Sequence, residues 1–510
     1  MRRLTVFFIC MFALTVGFAA EDDLSIEALL PAGTSVFVKT EPIADFIVSA
    51  KNFISLFNKK SSAGITEKID SFKSKTGIDP LNEDALRNIG LDTKRRAALA
   101  VLRDSEPLVF LPVSNGETFG RAFVEIMLKM DDSKKRDLYP AITSYKNFKV
   151  SQIEKDIFAA AVNDFFVITN SGEKIHSIID MSFRNKSAAL SQDSDYLSYL
   201  KQRNNNVKTI HAFARGEAVL NDGMVLKSGH GKITSSVGFY LAGASIEKSK
   251  LLFQLGVSFN KDNPEVNALL NLFSAQSTNL ALYDSDSLIY VFLSLNLNSL
   301  DTLPDEPSFE KAKGFYRMLC DFIKESYGID FKEDFSMYSK GVFNSMIGDI
   351  IKKENVIFMP MTDASKSLAL SRKIQEHLKK KYEPRNLFGY ENVGSFGKAA
   401  YYFDDAGVKN YVYSDQRGFY VATSISLLNA AAKKPYIEAA GKPFAMKIND
   451  NMWSFTVIKM DALRPMLVSL LGAGRNADFN DFINRLGNIY MSCSKNDSFV
   501  SVDTEILIGK

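Results

Sequence analysis

Tryptophan occurs once in the 510 residues, at Trp453, cysteine three times and histidine four times. Three cysteines cannot staple a chain of this length, so a disulfide scaffold is excluded. Cys10 lies in an N-terminal apolar run, and Cys320 and Cys493 either bridge in an oxidising compartment or stay apart. His176, His211, His230 and His377 stand far apart, and none begins a short metal-ligand spacing. His377, three residues after Ile374 and beside Leu378, edges a helix face. A surplus of charge is also missing, with 62 basic residues against 59 acidic ones. Loss of Arg2 and Arg3 with a leader would leave 60 (62 − 2) against 59. A near-neutral chain without a dense basic stripe does not read as a nucleic-acid binder.

Long apolar runs are missing everywhere except at the start, "MRRLTVFFICMFALTVGFAAEDD". Two arginines, an apolar stretch from Leu4 to Phe18, and small residues ahead of three acids have the layout of a signal peptide over residues 1–20, cut near Ala19 or Ala20. The alternative is an uncleaved anchor, since Leu4–Ala20 is close to the shortest membrane span. The expectation is export to the periplasm or the extracellular space, with no transmembrane segment in the mature chain.

Motifs of chemistry fail on inspection. "SGHGKIT" (228–234) lacks the first glycine and the hydroxyl residue of a phosphate loop and reads as a hairpin turn. "GAGRNA" (472–477) follows a helical run rather than a strand, so it reads as a helix end. "GASIE" (243–247) lacks the closing glycine of a nucleophile turn. Asp284 and Asp286, and Asp404 and Asp405, sit in turn-like stretches where aspartate serves the backbone before it serves calcium. "HLKKKYEPR" (377–385) suits a solvated helix end, where lysines favour the dipole. No residue is assigned a catalytic, cofactor-binding or metal-binding role, and no cofactor is expected.

What the chain does contain is a pattern written twice. "EPLVFLPVSN" (106–115) is matched by "ENVIFMPMTD" (354–363), with Phe110 over Phe358 and Pro112 over Pro360. In the same order, "SKTGID" ending at Asp79 matches "ESYGID" ending at Asp330, and "DFFVITNS" (164–171) matches "GFYVATSI" (418–425), with Phe166 over Tyr420. "VGFYLAG" matches "GNIYMSC", Tyr240 over Tyr490, and "TSVFVKT" (34–40) matches "LIYVFLS" (288–294). Collinear matches at nearly constant spacing point to a duplicated unit. The expected organisation is repeat domain 1 over 21–261, a connector helix over 262–284, and repeat domain 2 over 285–510. Pro264 suits the first turn of the connector, and Leu269, Leu270, Leu272 and Phe273 give it an apolar side that would dock.

Within each copy, β-branched and aromatic runs alternate with helical periods such as Phe119, Phe123, Ile126, Met127 and Met130. Turns of the "DDAG" and "SDQRG" type favour hairpins. The expected fold is α+β, two tandem copies of one domain, each a mainly antiparallel sheet with helices packed on one face and each expected to unfold mainly by itself. The proline of "FLPV" and "FMPM" ends a strand and sets the exit toward a helix.

"LLPAGTSVFVKTEPIADF" (29–46), "TGIDPLNEDALRNIGLD" (76–92), and the strand-to-helix turns "FVITNS" and "YVATSI" together resemble a family of uncharacterised exported bacterial proteins that carries a domain-of-unknown-function label. The resemblance implies location and fold and brings no catalytic residues. With 39 phenylalanines and 19 tyrosines, the chain has bulk for two cores or for an aromatic-lined groove. The leading expectation is a non-enzymatic envelope protein that binds a protein partner or serves as a scaffold. A carrier of a hydrophobic ligand is the alternative, and an enzyme of unrecognised type the second.

Overall fold

A computed structural model describes residues 26–56, 59–103, 107–130, 141–184, 186–220, 235–273, 288–296, 298–301, 303–305, 307–336, 341–350, 352–433, 451–471 and 484–509. The leader, "SGHGKIT", "GAGRNA", His230, Asp284 and Asp286, and the end of the connector lie outside the described residues.

The first half holds β1 (Val36–Pro42), β2 (Arg96–Val101), β3 (Pro107–Pro112), β4 (Ala141–Tyr145), β5 (Phe148–Glu154), β6 (Ile157–Val162), β7 (Phe165–Thr169), β8 (Ile210–Arg215), β9 (Val237–Ile246) and β10 (Lys250–Phe259). Its helices are α1 (Ile43–Ser55), α2 (Lys59–Thr76), α3 (Glu83–Asn88), α4 (Gly116–Met130), α5 (Gly172–Phe183), α6 (Ser194–Gln202) and α7 (Gly216–Leu220). A connecting helix, α8 (Pro264–Leu272), leads to the second half. There the strands are β11 (Ile289–Ser294), β12 (Val342–Asp349), β13 (Glu354–Pro360), β14 (Phe388–Asn392), β15 (Lys398–Phe403), β16 (Lys409–Asp415), β17 (Gly418–Ala422), β18 (Met452–Ile458), β19 (Leu486–Asn496) and β20 (Phe499–Ile508). The helices are α9 (Asn298–Asp301), α10 (Pro307–Tyr327), α11 (Ala364–Tyr382), α12 (Ile425–Lys433) and α13 (Met460–Leu471).

Among the described residues, twenty strands form one antiparallel sheet. Its order is β4-β5-β6-β7-β3-β2-β1-β8-β9-β10, then β20-β19-β18-β11-β12-β13-β17-β16-β15-β14. Reading the first ten backwards and adding ten to each label gives the second ten. The halves therefore share one strand order and meet across β10 and β20, their last strands.

This overturns the expectation of two separate sheets. The last strand of each half has an unpaired edge, and an exposed row of N–H and C=O groups is a template for another strand. β10 and β20 satisfy each other from Lys250 opposite Leu507 to Ser258 opposite Phe499. Sequence shows the strand but not which edge it will meet.

Helices on one face is also incorrect. Leu108, Val109, Phe110 and Leu111 are all buried. Because successive strand side chains point to opposite faces, such a run means both faces are covered. Phe110 and Val167 pack in a core with Ile175, Ile178 and Tyr196, beneath α5 and α6. Val109 and Phe166 pack in another with Ile43, Phe119 and Phe123, beneath α1 and α4. The second half repeats the arrangement, Phe358 and Tyr420 with Leu428 of α12 on one face, Phe419 with Leu370 and Ile374 of α11 on the other.

The register also corrects an alignment. Phe110 lies opposite Val167, and Phe358 opposite Tyr420. Val167, not Phe166, thus holds the place of Tyr420. A slip of one residue moves a side chain to the other face, and Phe166 indeed packs on Phe119, 5.1 Å between centroids, while Tyr420 lies 4.5 Å from Phe358. The same reasoning puts Leu241 where Tyr490 stands, through Phe37–Phe213–Leu241 and Tyr290–Val457–Tyr490. Pro112 and Pro360 end their strands ahead of α4 and α11.

Local chemistry explains the connections. Asn263 caps α8 by accepting from the Glu265 amide, and Pro264 fills the first turn. Phe273, just beyond α8, packs on Trp453 at 4.5 Å. The seam is further locked by Phe499, which leaves the second half to join the core of the first and stacks on Phe239 at 6.1 Å. Gly256 makes room for it: a Cβ there would stand 2.2 Å from Phe499 Cζ. Only the absence of a side chain permits that approach.

Phe499→Ala should therefore remove about 3–5 kcal/mol, the usual loss for a truncated buried phenylalanine. Trp453 fluorescence reports the second half, whereas the deleted ring sits in the first. Urea unfolding should show the Trp453 transition and the far-ultraviolet dichroism falling together to lower denaturant. An unmoved Trp453 midpoint would mean that the halves unfold separately.

Candidate functional site

One row of directly opposed residues crosses the sheet from Phe110 through Ala98, Lys39, His211, Gly243 and Gln254. It continues through Asp503, Ser492, Phe455, Phe292 and Asn344 to Phe358. The ladder places Lys39 over Phe292, one residue from its sequence match with Leu293, and His211 over Phe455 and Gln254 over Asp503. The second half fills the first two with fully buried phenylalanines. The first half instead buries a cation and an imidazole there, so the fold does not require them.

Around these two lies a polar cluster closed to solvent. Glu27, 0% exposed, accepts hydrogen bonds on Oε1 from Lys39 Nζ and from the Tyr196 hydroxyl, both 2.8 Å. Its segment is held by Ser191 N–H donating to the Glu27 carbonyl at 3.2 Å. Tyr196 is placed by the start of α6, where Asp193 accepts from the Asp195 and Tyr196 amides at 3.1 and 3.0 Å. Arg215 clamps the same turn through Asp193 and Asp195, at 2.8 and 2.9 Å. Phe37 and Phe213 meet the Tyr196 ring edge-on, at 5.7 and 5.4 Å. A charged pair in such surroundings holds together because each member would be costly alone.

Glu41 stands two residues beyond Lys39, where the β1–β2 register shifts. It is 2% exposed, and neither carboxyl oxygen has a hydrogen-bond partner of good geometry among the described residues. Burial raises its pKa to about 9; Asp45 adds to the shift, while the Thr209 hydroxyl, Arg96 and Lys208 oppose it. His211 is the converse: burial first, then Arg203, Arg96 and Lys39, lowers its pKa to about 3. At neutral pH the site thus holds a protonated carboxyl and a neutral imidazole whose Nδ1 is unpartnered among the described residues.

Toward the seam the row stays polar. Gln254 accepts from the Asn204 amide at 2.8 Å and donates to the Gln202 carbonyl at 3.3 Å. Asp503, its cross-strand partner, accepts from Asn204 Nδ2 at 3.1 Å. The end of α6 is thereby fastened to both halves at once.

Glu27, Lys39, Glu41, Tyr196 and His211 are all buried. The described groove, about 500 Å³, lies elsewhere, between α1, α2 and α3, and is lined by Lys51, Asp70, Lys73, Asp79 and Glu83 together with Ile54, Ile69 and Leu81. Lys73 donates to Asp79 at 2.9 Å, and Asp79 also accepts from the Leu81 amide. It is charged rather than aromatic. Among the described residues, no three His, Cys, Asp or Glu side chains gather as metal ligands.

The remaining residues weighed from sequence fall in separate places. His176 stacks on Tyr145 at 3.9 Å, and His377 lies near the Glu325 carbonyl at 3.3 Å. Asp404 accepts from the Ala406 and Val408 amides in its turn. Cys320 and Cys493 are not joined by a disulfide. The site that sequence reasoning missed had a signal: Phe37, Lys39 and Glu41 share one face by alternation, as do His211 and Phe213.

No family model matches the chain, and no curated protein is similar to it. Solved structures of TP0453 are similar in part: crystal form IV at 11% identity over 48% of this chain and 82% of that one, and form III at 12% over 46% and 79%, each with a TM-score of 0.25.

The buried carboxyl makes stability depend on pH. Glu41 binds its proton more tightly folded than unfolded, so its contribution is complete below the ordinary carboxyl range and is lost as pH rises toward 9. Glu41→Gln should raise the melting temperature at pH 8 relative to the parent, with the difference shrinking toward pH 5. His211 acts in the other direction, withdrawing stability as pH falls from its ordinary value of 6.5 toward 3. His211→Phe, the residue of the matched place, should blunt that acid loss. Parallel melting curves across this range would refute the burial of both groups.

Proposed function

We propose that this chain is an exported, non-enzymatic scaffold whose two halves, copies of one unit, present a single rigid sheet to a protein partner. The observation that carries this reading is the face opposite the polar row, at the seam. There Phe253 and Leu255 of β10 stand 37% and 60% exposed, and Met491 of β19 is 36% exposed. Their cross-strand neighbours Ala242, Ala244, Val502 and Thr504 are small or apolar. An uncharged apolar patch of this kind marks an interaction surface.

A protein suits it better than a lipid carried alone. Carriers enclose most of a ligand's surface, whereas this patch is an open sheet surface, and the buried aromatic rings of the described residues pack in the cores. The titratable cluster supports a non-enzymatic reading, because its groups are buried. Among the described residues no helix is long and apolar enough to cross a membrane. Export rests on the N-terminal layout, and intact mass of the protein recovered from its native compartment tests it.

A photo-crosslinking amino acid at Leu255 in the native host should yield a discrete adduct with a polypeptide, absent when the probe replaces exposed Glu173 of α5. Absence of any polypeptide adduct, or lipid recovered in an organic extract of the purified protein, would overturn the reading.

A further inference from the structure

Helix α11 follows β13 as α4 follows β3, and each starts from a cap three residues beyond the strand-ending proline. Asn115 accepts from the Thr118 amide at 2.9 Å, and Asp363 from the Ser365 amide at 2.8 Å. Matching the caps (363 − 115 = 248) compares the two outer faces residue by residue. On α4 the exposed charges are Glu117, Arg121, Glu125 and Lys129. Opposite signs at steps of four support one another along a helix. On α11 the exposed cations are Lys366, Arg372, Lys373, Lys379, Lys380 and Lys381, and one acid, Glu376, stands among them. Thr118, Val124 and Glu125 hold the places of Lys366, Arg372 and Lys373. The fold permits a neutral face here, and the second half makes it basic.

Steps of seven residues, nearly two full turns, line up Lys366, Lys373 and Lys380, with Arg372 and Lys379 in a second row. Lys373 pairs with Asp334, and Lys379 with Glu383 at 3.7 Å. Both lysines are half exposed, and pairs so open to water do little to cancel the field of the rows. The first row adjoins α10, where His377 lies 3.3 Å from the Glu325 carbonyl.

Large apolar side chains stand out from the same helix layer. Phe315, Met318 and Phe322 of α10 are exposed by 61%, 60% and 58%, and Leu368 of α11 by 42%. Helices α2 and α10 both end in a left-handed glycine, Gly77 at φ 78° and Gly328 at φ 69°. Matching these glycines (328 − 77 = 251) places Gly64, Glu67 and Ser71, all exposed, where α10 has Phe315, Met318 and Phe322. Among the exposed charges of α10, Glu310, Asp321 and Glu325 stand against Arg317 and Lys324, so the basic field belongs to α11.

We propose that the outer face of α11, with the apolar stripe of α10 beside it, is a peripheral docking surface for an anionic phospholipid membrane. The cations hold headgroups, and the phenylalanine, methionine and leucine side chains enter the boundary between headgroups and acyl chains. A basic face joined to exposed apolar side chains lets a protein lie on a bilayer without crossing it. The two chemistries together select this occupant. An acidic polypeptide would use the cations and leave the apolar stripe in water, and an apolar partner would bury the cations. A bilayer surface offers anionic groups and hydrocarbon side by side. The surface is separate from Phe253, Leu255 and Met491, so its test and crosslinking at Leu255 fail independently.

Flotation of the chain from Glu21 onward, free of the apolar leader, with phosphatidylcholine vesicles containing phosphatidylglycerol tests this. The chain should float with these vesicles at low salt, stay behind with phosphatidylcholine alone, and be partly released as salt rises. Arg372→Gln and Lys380→Gln should each weaken binding about fivefold. Phe322→Ser should weaken it at every salt concentration. All three side chains are exposed, so the melting temperature should hold. Lys201→Gln, an exposed change on α6 over the other face of the sheet, should leave binding as it was. No flotation, equal flotation with neutral vesicles, or α11 variants that behave like Lys201→Gln would overturn the proposal. So would retention on immobilised polyglutamate without vesicle binding, which would make an acidic polypeptide the occupant.

Discussion

The ladder between β10 and β20 is the constraint on which the rest depends. Each half ends in a strand whose outer edge its own half leaves unpaired, and β10 and β20 cover each other. Pairing the two replaces two hazards with one set of hydrogen bonds. It also fixes everything that crosses the seam: Phe499 in the core of the first half, Gly256 beneath its ring, and Asn204 bonded to Gln254 on one side and Asp503 on the other. Since Gln254 and Asp503 hold matched places and face each other, the halves are related by an approximate two-fold axis through that pair.

Against a common frame, differences between the halves become informative. Matched places must satisfy the same backbone, so a polar residue in one half and an apolar one in the other show what the backbone leaves undetermined. Lys39 and His211 against Phe292 and Phe455 mark the buried cluster of the first half. Gly64, Glu67 and Ser71 against Phe315, Met318 and Phe322 mark the outer face of α10 in the second. The burial of Lys39 is compensated by Glu27, which also binds Tyr196, His211 is accommodated as the neutral imidazole, and the other contrast lies on the surface.

Strands, hairpins and the helix after each proline were legible because they rest on local chemistry: alternation in "SVFVK", turn residues in "DDAG", and Pro112 and Pro360 at the strand ends. What was not legible depended on partners remote in sequence. "KLLFQLGVSF" reads as a strand, but nothing in it names β20 as its neighbour. "PLVFLP" is apolar on both faces, which a search for one-sided amphipathicity passes over. Placing Phe166 over Tyr420 chose similar side chains and slipped one residue, and only the ladder, through Phe110–Val167 and Phe358–Tyr420, sets the parity. The buried cluster lay in plain alternation, yet a charged residue in a strand reads as solvent-facing until the opposing helix is known to cover it.

The central claim is that the seam is core and not contact between neighbours, and hydrogen–deuterium exchange measures it directly. Peptides covering 250–259 and 499–508 should retain amide protons as long as those covering β2 and β3, because interior ladders open only with the global transition. If the seam peptides exchanged at the rate of surface turns while β2, β3, β12 and β13 stayed protected, the molecule would be two sheets side by side, and the account would be wrong.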